Sequence, residues 1–470
     1  MSTPGLTTTG VTGPLLQFVH RRRRGAELFL LVLALVVGIG AYAAAGLGVE
    51  GRVPADIVGY GGWLAGLILG AHVVVRLVAP YADPVLLPVV AALNGLGLAV
   101  IHRLDLAGDS DFARRQLIWM TLGVGLFAGT LLLLRDHRVL TRFTYTCGLA
   151  AIVLLLTPQV PVLGKEINGA RIWIGIGPFS LQPGEVAKVL LVIAFAGYLV
   201  LHRDALALAG RRVLFVDLPR GRDLGPILGM WAISMVILVA QSDLGSSLLF
   251  FGLFLIMLYV STERPGWLVV GAIMFVIGAV LATMFVGRVG DRVDLWLDPY
   301  AFFGDGTSDK GRQIVLSQFG FGWGGLLGRG LGGGSPWMVY YANSDFITSS
   351  IGEELGLTGL MAVLVMYGLI VERALRTAVI SRDGFGKLLA TGLAGVFALQ
   401  VFVVVGGVTR LIPLTGLTAP FLSYGGSSLV ANWVIVALLL RISDLARRPV
   451  PDLSAEADEP DEESTQVIRL

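Results

Sequence analysis

The chain has 470 residues, 55% of them hydrophobic and only 14% charged, with a mean hydropathy of +0.78. A soluble chain carries about 25% charged residues, so this one cannot clothe a water-facing surface and reads as an all-α integral membrane protein. Its net charge of +2 gives no concentrated basic face, which excludes a nucleic-acid partner. A single cysteine, Cys147, excludes a disulfide framework and a cysteine-based metal site.

The amino-terminal tail, 1–25, is basic, with Arg21 to Arg24 standing before the first apolar run. That run is too long for a signal peptide and no convincing cleavage site follows, so it reads as a retained span. About 20 apolar residues cross a hydrocarbon core of about 30 Å. In chain order the apolar stretches are 26–46, 57–78, 84–102, 116–134, 143–163 and 183–201. They continue with 225–240, 244–260, 267–286, 351–371, 388–408 and 426–441. A polytopic bundle of about twelve transmembrane helices, 26–442, is the expectation. The seventh and eighth spans are separated only by Gln241-Ser242-Asp243. Lys and Arg are the more frequent in the connections that lie inside when the amino terminus is cytoplasmic, so both termini are expected inside.

Two segments differ from the spans. The connection 287–350 holds paired charges, glycines and the aromatics Trp296, Phe321, Trp323 and Trp337, and is expected to be a partly ordered outer loop. The carboxy-terminal tail, 443–470, is acidic past 449 and reads as disordered on the cytoplasmic side.

Polar groups within hydrocarbon are costly and are functional candidates by default. Gln182-Pro183-Gly184-Glu185 opens the sixth span, and Glu185 stands three residues from Lys188, where the two can pair on one helix face. An ion pair alone and a place in a polar site both fit. Arg171-Ile172-Trp173 precedes it and resembles an interfacial aromatic belt. Asp243 can cap the following helix or face a cavity. The glycines at 328, 330 and 332–334 lack the Gly-Lys-Ser/Thr of a nucleotide loop and read as flexible turns. In the outer loop, Asp298, Asp305 and Asp309 stand near Lys310 and Arg312. Asp345 and the pair Glu353-Glu354 follow, the pair being expected in the first turns of the tenth span. Carboxylates there can act as general bases or hold Mg²⁺ or Mn²⁺, and the cations can meet phosphate. That mixture at an outer membrane face suits a lipid pyrophosphate.

The run Pro413-Leu414-Thr415-Gly416-Leu417-Thr418-Ala419-Pro420-Phe421-Leu422-Ser423-Tyr424-Gly425-Gly426-Ser427-Ser428 closely resembles the signature of the SEDS family (shape, elongation, division and sporulation). The likeness extends to Trp173-Ile174, to Gln182-Pro183-x-Glu185-x-x-Lys188, and to Gln241-x-Asp243-Leu244-Gly245-Ser246. It continues in Ser344-Asp345-Phe346 with Gly352-Glu353-Glu354-Leu355-Gly356. The first two spans resemble the amino-terminal extension of actinobacterial members.

The resemblance implies a peptidoglycan glycosyltransferase of the bacterial cytoplasmic membrane that polymerises lipid II on the outer face, in elongation or division. It implies inverting transfer: the 4-hydroxyl of one lipid II sugar attacks the growing glycan strand, and undecaprenyl pyrophosphate leaves. A class B penicillin-binding transpeptidase is the implied partner, beside membrane lipids. A divalent cation is allowed for and no organic cofactor is expected. A lipid-linked precursor flippase, or a non-catalytic scaffold for a transpeptidase, is the alternative.

The family's essential carboxylate is an outer-loop aspartate in a pattern like Asp-Pro-x-Gly-x-Gly-Tyr-Gln. Here Gly311-Arg312-Gln313 matches its end, and counting back reaches Gly306, one residue from Asp305. Counting forward from Asp298-Pro299 reaches Phe302, so the loop carries an insertion. Asp305 is therefore preferred as the catalytic residue, then Asp309, then Asp298. Gly184 and Arg312 depart from the usual serine and tyrosine. Lys188, Glu185, Arg171, Arg312, Arg410, Asp243, Asp345 and Ser423 are the candidate substrate and pyrophosphate contacts, with Arg410 first for the leaving group.

Overall fold

The computed structural model describes residues 24–449, apart from 109, 168–169, 177–178, 204–210, 214–215, 219–220 and 304–309. The tails 1–23 and 450–470 thus lie outside the described residues. The chain runs through α1 (Arg24–Glu50), α2 (Ile57–Val78), α3 (Leu86–Gly108), α4 (Phe112–Leu133) and α5 (Thr144–Leu156). A three-stranded antiparallel sheet follows, β1 (Gly164–Ile167), β2 (Ala170–Ile176) and β3 (Phe179–Leu181), then α6 (Pro183–Leu201) and the hairpin β4 (Arg211–Val213) and β5 (Val216–Leu218). Next come α7 (Gly221–Ala240), α8 (Leu244–Thr262) and α9 (Gly266–Phe285), and then the shorter α10 (Gly287–Leu297), α11 (Lys310–Gly324) and α12 (Ile347–Glu354). Three long helices, α13 (Gly356–Ile380), α14 (Gly384–Val408) and α15 (Gly426–Arg447), close the chain.

Among the described residues eleven helices are long and apolar enough to cross a membrane, and α7 adds a shorter apolar helix over Gly225–Ala240. These correspond to the twelve expected stretches. The all-α polytopic class therefore holds, with little sheet. In α3 and α15, 83% of the central window is buried, against 6% in α9, so α3 and α15 form the middle of the bundle and α9 leaves its sides to lipid. The outward sides are apolar because lipid, unlike water, asks for no polar surface.

Local chemistry sets the breaks between helices. Ser242 turns the chain with φ +59, and the Asp243 carboxylate accepts the backbone N–H of Ser246 at 3.0 Å as the cap of α8. Two helices, not one, thus leave Gln241-Ser242-Asp243. The tenth span is displaced from its expected place. Leu355 interrupts the helix, α12 ends at Glu354, and the crossing is α13. Glu353 and Glu354 therefore close the short helix before the span instead of opening the span. Gly356, at φ +69, turns the chain between the two helices, and a buried ion pair holds Glu354 there: Arg103 on α3 donates to Glu354 Oε1 at 2.8 Å and to the Gly334 carbonyl at 2.9 Å.

The long connection after α9 folds as α10, a turn over Pro299–Phe302, α11, a turn over Pro336–Met338 and α12. Its glycines are not merely flexible. Gly328 has φ +81 and Gly332 φ +92, the left-handed region that side chains avoid. The N–H of Gly330 donates to the Glu354 carbonyl at 2.8 Å, and Arg329 N–H to that of Glu353 at 3.1 Å. The glycine run is a close backbone seat on the end of α12.

Candidate functional site

Five of the motif runs, all but Gly352 to Gly356, contribute residues to the lining of one cavity of about 690 Å³ on the loop side of the bundle. Trp173 lines it from β2, Gln182 and Glu185 from the start of α6, and Ser242 and Asp243 from the α7–α8 turn. Ser344 and Asp345 enter from the long connection before α12, and Thr415 to Thr418 with Tyr424 to Gly426 from the signature run. Arg115 on α4 and Arg292 on α10 complete it with positive charge. A second cavity of about 670 Å³ between α13 and α14 is lined by apolar side chains such as Leu364, Val371 and Phe402, and no motif residue reaches it.

The sheet explains the placement of the 170–181 segment. β2 pairs antiparallel with β1 and β3, with Ile174 opposite Leu181, which lays Ala170, Ile172 and Trp173 along the cavity wall. The aromatic stretch is thus a strand wall. Arg171 lies outside the lining, beside Gly164 of the neighbouring strand.

At the entrance of α6, Pro183 occupies the first helical turn, where its missing N–H costs nothing. Glu185 faces the cavity, and its Oε2 lies 2.5 Å from Lys188 Nζ. Lys188 does not reach the cavity. Its ammonium donates to Gln400 Oε1 at 2.9 Å and Asn432 Oδ1 at 3.5 Å, and the residue is 2% exposed. Gln400 in turn donates to the Thr418 carbonyl at 2.8 Å. The lysine is a strut joining α6, α14, α15 and the signature run, behind the surface it was expected to line.

Arg292, and not Arg410, lines the cavity. It donates to the carbonyls of Leu414 at 3.2 Å and Thr415 at 2.9 Å, between two carboxylates. Burial draws its pKa down while Asp243 and Asp345 draw it up. Asp345 accepts the Ser344 hydroxyl at 3.0 Å. Loss of water pushes its carboxyl up to about 6, against the lowering pull of Ser344 and Arg292. Asp243 is raised by burial and lowered by Ser246 and Arg292. Tyr424 is raised by burial and lowered by the neighbouring Arg115, which hydrogen-bonds it.

Arg410 turns away. With φ +64, it donates to the Trp296 and Leu297 carbonyls, both at 2.9 Å, and its own carbonyl accepts Trp296 Nε1 at 3.0 Å. It fastens the end of α10. Arg312 is exposed on α11, outside the cavity lining. Ser423 uses its hydroxyl internally, donating to the Ser344 carbonyl at 2.6 Å and accepting Ala419 N–H at 2.9 Å. With Tyr424 N–H on the Asn343 carbonyl at 2.7 Å, it stitches the signature run to the connection before α12. Asp298 caps the turn after it, accepting Tyr300 and Ala301 N–H at 3.2 Å each. Asp305 and Asp309 lie outside the described residues.

Among the described residues no three side chains converge as metal ligands. Arg115 and Arg292, which the sequence reading missed, are the cations at the cavity. The available signal for Arg292 was its place in a polar loop helix, seven residues before Pro299, and for Arg115 its place at the start of an apolar span.

The model of the FtsW, RodA and SpoVE cell cycle proteins matches residues 84–448. The peptidoglycan glycosyltransferase RodA of Mycobacterium tuberculosis is 48% identical over 435 residues, 91% of this chain and 92% of that protein. A probable peptidoglycan glycosyltransferase FtsW of Geobacter metallireducens is 32% identical, over 77% of this chain and 94% of that one. In a solved peptidoglycan synthase complex, studied for the coordination of polymerization and crosslinking, one chain matches 78% of this chain with 98% of its own length. That match has 28% identity and a TM-score of 0.62. Thermus thermophilus RodA matches 77% of this chain with 96% of its own, at 26% identity and a TM-score of 0.54.

Proposed function

Because the chain belongs to the family of FtsW, RodA and SpoVE cell cycle proteins, we propose that its 690 Å³ cavity is where lipid II is polymerised. The chain is a multi-pass membrane peptidoglycan glycosyltransferase. The observation that carries the placement is the convergence of five separated motif runs on one polar cavity beside the outer loop. Both termini are cytoplasmic and the cavity faces outward, in keeping with the distribution of Lys and Arg. A class B penicillin-binding transpeptidase takes up the glycan strand, as the synthase-complex relative suggests.

The donor is the growing strand on its undecaprenyl pyrophosphate, and the acceptor is the 4-hydroxyl of an incoming lipid II. Asp305, foremost of the three loop aspartates, takes the hydroxyl proton as the oxygen attacks the anomeric carbon from the opposite side, which inverts it. Arg292 and Arg115 hold the departing pyrophosphate, since a guanidinium fork meets two phosphate oxygens at once. A divalent cation, Mg²⁺ or Mn²⁺, would be held mainly by the pyrophosphate itself and would neutralise its charge, since among the described residues no three side chains converge as ligands. The sugar arrives already activated, so no organic cofactor is needed.

Polymerisation of labelled lipid II by the purified chain, alone and with a transpeptidase, tests this reading. Asp305→Asn and Asp305→Ala should abolish polymer, with the protein still in the membrane. Near-normal activity in Asp305→Ala moves the base to Asp309 or Asp298. Lipid movement across vesicles without polymer would favour a flippase instead.

A further inference from the structure

The helices α1 and α2 precede residue 84 and lie outside the matched family region. Their packing nevertheless leads to the outer loop. α1 crosses α3 where Gly38 meets Gly95, and a Cβ on either would stand 2.8 Å from the other's Cα. Two helices meeting at glycines sit backbone to backbone. Further along α1, Tyr42 stacks between the Tyr60 ring at 3.8 Å and the His102 ring at 4.0 Å, and donates to Asp56 at 2.9 Å. The outer end of α1 then brings Gly48 against Leu331 and Gly332. A Cβ on Gly332 would stand 2.6 Å from Gly48 Cα, and one on Gly48 would overlap the Leu331 carbonyl.

Beyond Gly332 the loop is fixed on both sides. Gly332 N–H donates to Glu354 Oε1 at 3.2 Å, the same oxygen that Arg103 holds, and Ser335 N–H donates to Glu353 Oε1 at 2.6 Å. Arg103 adjoins His102 in sequence and lies 4.9 Å from the centre of the Trp337 ring. Four residues past Trp337 the chain enters the cavity at Tyr341, followed by Asn343, Ser344 and Asp345. From Gly48 to Asp345 the path runs through the backbone contact at Gly332, the part-buried hydrogen bonds of Gly332 and Ser335 to Glu354 and Glu353, the Arg103–Trp337 contact, and then along the chain itself.

We infer that the α1–α2 pair is a positioning element for the polymerase cavity. Gly48 seats Gly332, and the seat sets the height of the 336–345 segment that carries Asn343, Ser344 and Asp345. Only its kinetic arm rests on the function proposed above. Gly40 lies on the same helix with nothing within 4 Å of its would-be Cβ, so it supplies the control.

The experiment compares full-length wild type, Gly48→Ala, Gly48→Val and Gly40→Val. Hydrogen exchange over 330–345 is measured beside polymerisation at varied lipid II. Alanine is the better helix former, so a loss in Gly48→Ala cannot come from a weaker α1. Gly48→Val should speed exchange over 330–345 and raise KM for lipid II at least fivefold, with a smaller fall in kcat. Gly48→Ala should lie between, and Gly40→Val should match wild type. Unchanged exchange in Gly48→Val overturns the seat. Faster exchange with unchanged KM overturns the positioning role, as do equal losses in Gly40→Val. Should wild type itself make no polymer, the proposed function fails, while the exchange comparison still decides the seat.

Discussion

Lys188→Met removes the ammonium from a site where Glu185, Gln400 and Asn432 all depend on it. Its Nζ lies 2.5 Å from Glu185 Oε2 and 2.9 Å from Gln400 Oε1, and the paired side chains are 2% and 6% exposed. Removing one partner of a buried ion pair costs about 3–5 kcal/mol, because the remaining charge is left without compensation. Methionine fills much of the volume, so the loss is electrostatic. Glu185→Gln with Lys188→Met removes the orphaned charge, and a coupling of about 0.5–3 kcal/mol should return. Chemical denaturation in mixed micelles gives the stabilities of both single variants and the double. Polymerisation at saturating lipid II is read in parallel, because Glu185 lines the cavity and Lys188 does not. The double variant should polymerise like Glu185→Gln alone. A stable double variant more than tenfold slower than Glu185→Gln would put the ammonium on the substrate and refute the strut. Wild-type stability in Lys188→Met would refute the buried pair.

Arg292→Ala should slow polymerisation by about 10 to 10² at saturating lipid II, the loss of one charge-assisted phosphate bond of about 1.5–3 kcal/mol; a wild-type rate would remove Arg292 from the leaving group. Arg410→Ala should lower stability by about 1 kcal/mol through the freed end of α10, with little change in single-turnover rate. A large rate loss would return Arg410 to the pyrophosphate. Asp345, raised to about 6 from an ordinary 3.8, binds its proton more tightly when folded, so its contribution to stability declines as pH rises from about 4 to 6. Activity should rise across that upper value as the carboxylate forms beside Arg292, and Asp345→Asn should flatten this limb. An unchanged pH profile in the variant would sink the assignment.

The sequence by itself determined the class, the apolar stretches that become helices and the runs that build the cavity. An apolar stretch of about 20 residues has one way to satisfy its backbone within lipid, so composition and length decide the helix. Helix ends set by local chemistry were legible too, as at Asp243, whose carboxylate lies three residues from the N–H it caps. Direction was not legible. Lys188 and Glu185 were rightly seen as a pair three residues apart, but which of them faces the cavity depends on Gln400 and Asn432, 212 and 244 residues from Lys188. Arg410 stands beside the signature run in sequence, yet the Trp296 and Leu297 carbonyls, more than 110 residues away, hold its guanidinium. Arg292 gains its place from the Leu414 and Thr415 carbonyls and from two carboxylates on other elements. Charge inside a membrane protein goes where partners compensate it, and those partners come from helices that only the packed bundle brings together.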